Sequence, residues 1–371
     1  MRVLSFVLLI SFLISFKLFA INNTKPEKII IGNYKSRAIF SKSYSANKLN
    51  APTVILIPGS GANGPEEAMP GSLTTTGKTE PLFNQLASAL NKAGFNTLQL
   101  GKPGVDFHND SFDFEKIFYD YELFKKSTWK DYLDNVDFSY QYLLQRGDID
   151  PAKIYLLGHS EGTKVSIDYV KYRNSEIKGL ILLGYSGEDM ETVIDWQVFE
   201  REIEYFVMTD VDDNRDNIVT KEEASKWKEF QLDWDNYPSN HVSISEIRRI
   251  LKNDPKKNAF SKKSKESLIW KDIVREGPNY SRAASLSQPI FVFTGELDLQ
   301  TRAVEAENLG KECALHNKLN CYINIVPGLG HGFSPPKGER KHPLLDISIG
   351  PIEESFLDFF ENYLENVVLG E

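Results

Sequence analysis

The chain alternates short, wholly apolar runs with longer segments whose apolar residues recur three and four positions apart. Thr53–Ile57 (TVILI) and Gly179–Leu183 (GLILL) are continuous apolar runs bounded by turn residues, the pattern of strands buried on both faces. Pro81–Ala93 carries apolar residues at 82, 83, 86 and 90 and is followed by Gly94, which predicts a helix with a glycine stop. The same patterns predict strands over Lys28–Ile31, Arg37–Ser41, Phe95–Leu100, Lys153–Leu157, Pro289–Thr294 and Cys321–Val326. They predict helices over Ser127–Gln145, Glu161–Tyr172, Arg302–Ala314 and Ile352–Val368. Strand and helix in alternation imply an α/β fold, a mostly parallel sheet with helices on both faces.

The rhythm stops near Gly187 and returns near Pro289. Residues between are charged and aromatic, with Trp196, Trp227, Trp234 and Trp270, and read as helical. The expected layout is therefore a core in two parts, 21–186 and 285–371, split by a helical cap over 187–284. Aromatic residues at helical spacing belong more often to a core than to a pocket wall.

The first twenty residues, MRVLSFVLLISFLISFKLFA, have Arg2, an apolar run broken only by serines, then Lys17 and Ala20. That is the layout of a secretory signal peptide over residues 1–20 and makes the expected location secreted or periplasmic. The run is short of the roughly 20 apolar residues of a membrane span, so membrane contact is expected only through a leader left uncleaved. In an exported chain Cys313 and Cys321 either close a small loop as a disulfide or remain two buried thiols. The net charge of −9 argues against a nucleic-acid partner, which requires a basic face. No phosphate-binding glycine loop follows a strand, so no nucleotide cofactor is implied.

Chemistry gathers at predicted strand ends, where open parallel sheets place their ligands. After the Lys153–Leu157 strand comes Gly158-His159-Ser160-Glu161-Gly162, a serine between two glycines at a strand-to-helix reversal. After Pro289–Thr294 comes Gly295-Glu296-Leu297-Asp298; after Cys321–Val326 comes Pro327-Gly328-Leu329-Gly330-His331; after Thr53–Ile57 comes Pro58-Gly59-Ser60-Gly61. A serine nucleophile needs a base, an acid that orients the base, and donors for an oxyanion. These four ends supply all of them.

On those residues the chain resembles the α/β-hydrolase superfamily over nearly all of its length outside the cap. Gly158-x-Ser160-x-Gly162 is similar to the family's nucleophile elbow, and Ser160, Asp298, His331 follow the family's order. The resemblance implies that His331 takes the Ser160 proton, that Asp298 holds the imidazole, and that the backbone N–H groups of Ser60 and Glu161 face the oxyanion. Its Gly-x-x-Asp spacing selects Asp298 over Glu296. His159 is expected to pack sideways, and His108 either lines the site's mouth or is a solvated loop residue. The implied activity is cleavage of a carboxylic ester, or a related acyl bond, in a small-molecule or acylated substrate. Two other readings stay open: a prolyl-type or aminopeptidase-like serine peptidase, and a calcium-dependent binding protein on an inactive hydrolase scaffold.

The cap holds a second pattern. From Asp212 to Glu223, oxygen-bearing side chains fall at the first, third and fifth positions (Asp212, Asn214, Asp216). Ile218 offers a carbonyl at the seventh, Thr220 a water-mediated contact at the ninth and Glu223 a bidentate carboxylate at the twelfth. That is the EF-hand calcium loop. Asn217 stands at the sixth position in place of glycine and is the residue next best able to take a positive φ. Calcium is thus expected as a structural cofactor of the cap, with no cofactor needed for the chemistry. Downstream, Asp235–Glu246 repeats Asp, Val and Glu at positions one, eight and twelve, with Tyr237 and Ser239 as poor ligands. It is expected to prop the first loop without binding metal, and only one helix fits between the two.

Overall fold

The computed structural model describes residues 25–44, 51–108, 116–174, 176–228, 230–336 and 350–370. The predicted signal peptide lies outside them. Eight strands make the main sheet: β1 (Glu27–Ile31), β2 (Ser36–Ser41), β3 (Thr53–Ile57), β4 (Asn96–Leu100), β5 (Ile154–His159), β6 (Gly179–Leu183), β7 (Ile290–Gly295) and β8 (Cys321–Val326). Their order across the sheet is β1-β2-β4-β3-β5-β6-β7-β8. β1 pairs antiparallel with β2, and β2 with β4; every other neighbouring pair is parallel. This is the α/β-hydrolase fold.

Every residue of β3, β4, β5, β6 and β7 is buried, which explains why those strands are apolar without alternation. Period two still decides which face each side chain serves. Val54 and Leu56 join one core with α1 (Leu82–Lys92) and α5 (Glu354–Tyr363), through Phe83, Leu86, Phe356 and Phe360. Ile55 and Ile57 join the opposite core with α2 (Trp129–Leu144), α3 (Glu161–Tyr172) and α4 (Ala303–Leu315), through Leu133, Val136, Val165 and Leu309. Cys313 in α4 and Cys321 at the start of β8 form a disulfide, the first of the two alternatives. Among the described residues, no helix is long and apolar enough to cross a membrane.

Between β6 and β7 the chain leaves the sheet. A helix begins at Met190–Asp195 and continues in wider π-type turns through Trp196–Glu200 and Ile203–Val211. Helices Ile244–Lys252 and Pro255–Lys265 follow. Two three-residue strands, Ile218–Thr220 and His241–Ser243, pair antiparallel, a ribbon that the helical reading of this segment missed. Ile203, Phe206, Val207, Val219, Val242 and Ile247 close a small core of their own beneath it. The single helix expected between the two loops is only the short Lys221–Ser225.

Candidate active site

Ser160 sits between β5 and α3 with φ 54° and ψ −119°, a backbone state that non-glycine residues rarely hold. Its flanking glycines make this possible by close approach. A Cβ on Gly158 would stand 2.2 Å from the Gly162 carbonyl oxygen, and one on Gly162 would stand 2.2 Å from the carbonyl oxygen of Ile57 in β3. The turn is pinned where Ser160 N–H donates to Leu183 O (2.9 Å) and Thr163 N–H donates to Ser160 O (2.9 Å).

Asp298 and His331 are brought together from the ends of β7 and β8. His331 Nδ1 lies 2.8 Å from Asp298 Oδ2, with the two residues 7% and 2% exposed. The carboxylate is fully engaged: Oδ1 accepts the N–H groups of Gln300 (2.8 Å) and Thr301 (2.9 Å), and Oδ2 also accepts the Thr301 hydroxyl (2.9 Å). Glu296, the neighbouring acid, is exposed and accepts Gly328 N–H instead, so it takes no part here.

Ser160 and His331 share the lining of one cavity of about 360 Å³ with Gly59 and Ser60. Among the described residues the Ser160 hydroxyl makes no hydrogen bond to the imidazole, a contact that often tightens only when substrate is bound. Gly59 packs directly against Ser160, since a Cβ there would lie 3.1 Å from Ser160 Cβ. No acceptor among the described residues takes the N–H of Ser60 or of Glu161, which leaves both donors free.

The cavity wall comes from a part of the chain with no periodic signal. Ala62, Ala68, Met69, Pro70 and Leu73 line it, as does Ile117. The cap contributes Gln197, and none of its tryptophans. Trp196 donates to Leu299 O, beside Asp298, and Trp227 packs edge-on against Phe206. Trp270 donates from Nε1 to Glu161 Oε2 (2.6 Å). The Glu161 side chain thus turns away from the cavity. Its other oxygen meets Lys102 Nζ at 2.8 Å in a pair only 3% and 4% exposed. Removing one partner of such a buried pair typically costs about 3–5 kcal/mol, because the other charge is left buried and uncompensated. His108 lies outside the cavity; its backbone N–H donates to Glu66 in a separate groove.

The cap loop makes the bend expected of it. Asn217 takes φ 66° at the sixth position, so the bend is made without glycine. Val219 pairs with Val242, the eighth positions of the two frames, so the loops are joined back to back as a pair. Asp212 is buried, with Oδ1 accepting Asp216 N–H (3.2 Å) and Oδ2 accepting Asn217 N–H (2.9 Å). Asn214 and Asp216 each accept the N–H two residues on. Glu223 Oε2 caps the following helix at Thr220, while Oε1 is buried with no hydrogen-bond partner. Among the described residues, no three acid, histidine or cysteine side chains converge as a metal site.

No family model matches the chain, and no curated protein does. Solved structures similar to it include Est1E from Butyrivibrio proteoclasticus, 14% identical over 94% of this chain and 98% of that one, with a TM-score of 0.48. A monoacylglycerol lipase from Paleococcus ferrophilus is 15% identical over 89% and 98%, with a TM-score of 0.45. A carboxyl esterase from Bacillus coagulans is 14% identical over 93% and 98%, with a TM-score of 0.48. At these values the strand order, and not the likeness, carries the fold.

Proposed function

We propose that the protein is an exported serine hydrolase that cleaves carboxylic esters through an acyl-enzyme on Ser160. The observation that carries this reading is the Asp298–His331 pair, poised at the same cavity as a serine held in a strained turn. Ser160 Oγ attacks the acyl carbon while His331 Nε2 takes its proton. The carbonyl oxygen becomes an oxyanion that accepts from the Ser60 and Glu161 N–H groups. Collapse breaks the ester bond, and His331 returns the proton to the departing alkoxide. Water then attacks the acyl-enzyme by the same route, which frees the acid and Ser160. Asp298 keeps Nδ1 protonated and stabilises the imidazolium at each stage.

The cavity favours esters over aminoacyl substrates. Its one acid among the described lining residues is Glu67, whose side chain is 1% exposed and already pairs with His159 and the Gly59 N–H. Among the described lining residues no open carboxylate awaits a substrate ammonium. Turnover of p-nitrophenyl esters with no cleavage of aminoacyl anilides is the expected result; anilides cleaved faster than esters would replace this reading with the peptidase. The disulfide supports the exported location, since such bonds persist in oxidising compartments.

The cap is proposed to bind calcium through Asp212, Asn214, Asp216, the Ile218 carbonyl, Thr220 by way of water, and Glu223. The unpartnered Glu223 Oε1 and the positive φ of Asn217 fit that role. None of these residues lines the cavity, so the ion's contribution is to order the cap. Calcium at a hundredfold above its Kd is expected to add about 2.7 kcal/mol to stability and to raise the melting temperature accordingly. Glu223→Gln should remove most of that shift. A wild-type melting curve that calcium and chelator leave unchanged would sink the calcium site. Chelation is also expected to alter KM before it stops labelling by a small fluorophosphonate.

A further inference from the structure

His159, the residue before the nucleophile, does more than pack sideways. Its ring is nearly buried, with Nδ1 3.0 Å from Glu67 Oε1 and Nε2 3.2 Å from the backbone carbonyl oxygen of His331. Glu67 holds a positive φ of 42°, and the same Oε1 accepts the Gly59 N–H at 2.7 Å. One side-chain pair therefore touches the elbow, the loop that carries the oxyanion donor and the loop that carries the base.

The partners decide how many protons the ring holds. A carboxylate and a backbone carbonyl only accept, and a neutral imidazole has a single N–H to give. One bare ring nitrogen would leave acceptor facing acceptor in a buried site. A proton on Glu67 Oε1 would also serve Nδ1, but that oxygen already accepts the Gly59 N–H at 2.7 Å, the short distance of a donor facing a carboxylate. We propose that His159 is a positioning residue, held as an imidazolium, whose ion pair with Glu67 clamps the Gly59–Ser60 loop to the His331 loop behind Ser160. Its kinetic consequences rest on the hydrolase reading; its protonation does not.

Burial opposes the charge on His159, but Glu67, the His331 carbonyl and the nearby Asp298 outweigh it, and the ring's pKa is raised. A raised folded-state pKa means that the clamp's contribution is complete at low pH and lost as pH rises through that value. Turnover should therefore fall on an alkaline limb that Glu67→Gln moves to lower pH.

The direct test is nitrogen NMR of the 15N-histidine-labelled protein, with His159 assigned from its disappearance in His159→Gln or, if that variant does not fold, its displacement in Glu67→Gln. Both ring nitrogens protonated at about pH 7.5, where an ordinary histidine near 6.5 is mostly neutral, is the expected result. One bare nitrogen overturns the clamp. In kinetics each single variant should lower kcat by about 10²-fold through misplaced catalytic groups, with KM held within about twofold. The double variant should be no worse than either single one. Losses that multiply, or that appear in KM, overturn the clamp as well. A wild type that neither labels with fluorophosphonate nor cleaves esters sinks the hydrolase reading alone, and the nitrogen spectra still decide the clamp.

Discussion

Ser160→Ala is expected to lose fluorophosphonate labelling and to lower ester turnover by about 10⁴-fold or more, with melting temperature nearly unchanged. The two halves of that expectation come from different atoms. The hydroxyl belongs to the residue that lines the cavity with His331 and precedes the free N–H of Glu161. The fold instead uses the serine's backbone, whose N–H meets Leu183 O and whose carbonyl takes the Thr163 N–H and hydroxyl. Alanine keeps those bonds and the same positive φ, so stability should move by no more than about 0.5 kcal/mol. Labelling that survives the substitution would remove Ser160 from the chemistry. An unlabelled wild type with calcium-dependent melting would favour a binding protein on a silent scaffold.

The strands were legible because burial on two faces leaves a local mark. TVILI and GLILL were read with their observed limits, and Glu161–Tyr172 likewise. The apolar run before Ser160 predicts a strand ending at Leu157, yet the strand runs to His159. Glycine and histidine carry no strand signal, and the pairing of Gly158 with Leu182 that extends it belongs to the neighbouring strand. The cap ribbon escaped for a similar reason: each strand has three residues and one buried apolar side chain, Val219 or Val242, which is too little for a period. The two twelve-residue frames place Val219 and Val242 at the same eighth position, and the ribbon pairs those two residues.

Contacts between distant polar residues left no trace in the sequence. Glu67 and His159 are 92 positions apart, and Lys102 and Glu161 are 59 apart. Each is an ordinary charged residue by composition, and only the strand order brings them together in the interior. The one available hint was density of charge beside motifs: Glu66-Glu67 soon after the glycine loop, and Glu161 directly after the nucleophile. The apolar wall from Ala62 to Leu73 was equally silent, because a loop that lines a cavity needs no repeat.

Asp298→Asn tests the geometry most sharply, because the structure dictates how the amide must sit. Two backbone donors, Gln300 N–H and Thr301 N–H, point at Oδ1, so the asparagine oxygen has to take that place. Its NH₂ then occupies the position of Oδ2, 2.8 Å from His331 Nδ1 and 2.9 Å from the Thr301 hydroxyl. A donor there compels Nδ1 to accept, which moves the imidazole proton to Nε2, the atom that must receive one from Ser160. The wrong tautomer is thereby locked in. Turnover should fall by about 10⁴-fold while the loop keeps its backbone hydrogen bonds and the protein stays folded. The buried Thr301 hydroxyl loses Oδ2 as its acceptor, so a stability loss of about 1–3 kcal/mol is expected beside the kinetic effect. Full activity in Asp298→Asn would mean that His331 is oriented by something other than this carboxylate, and the Asp298–His331 pair would lose its catalytic meaning.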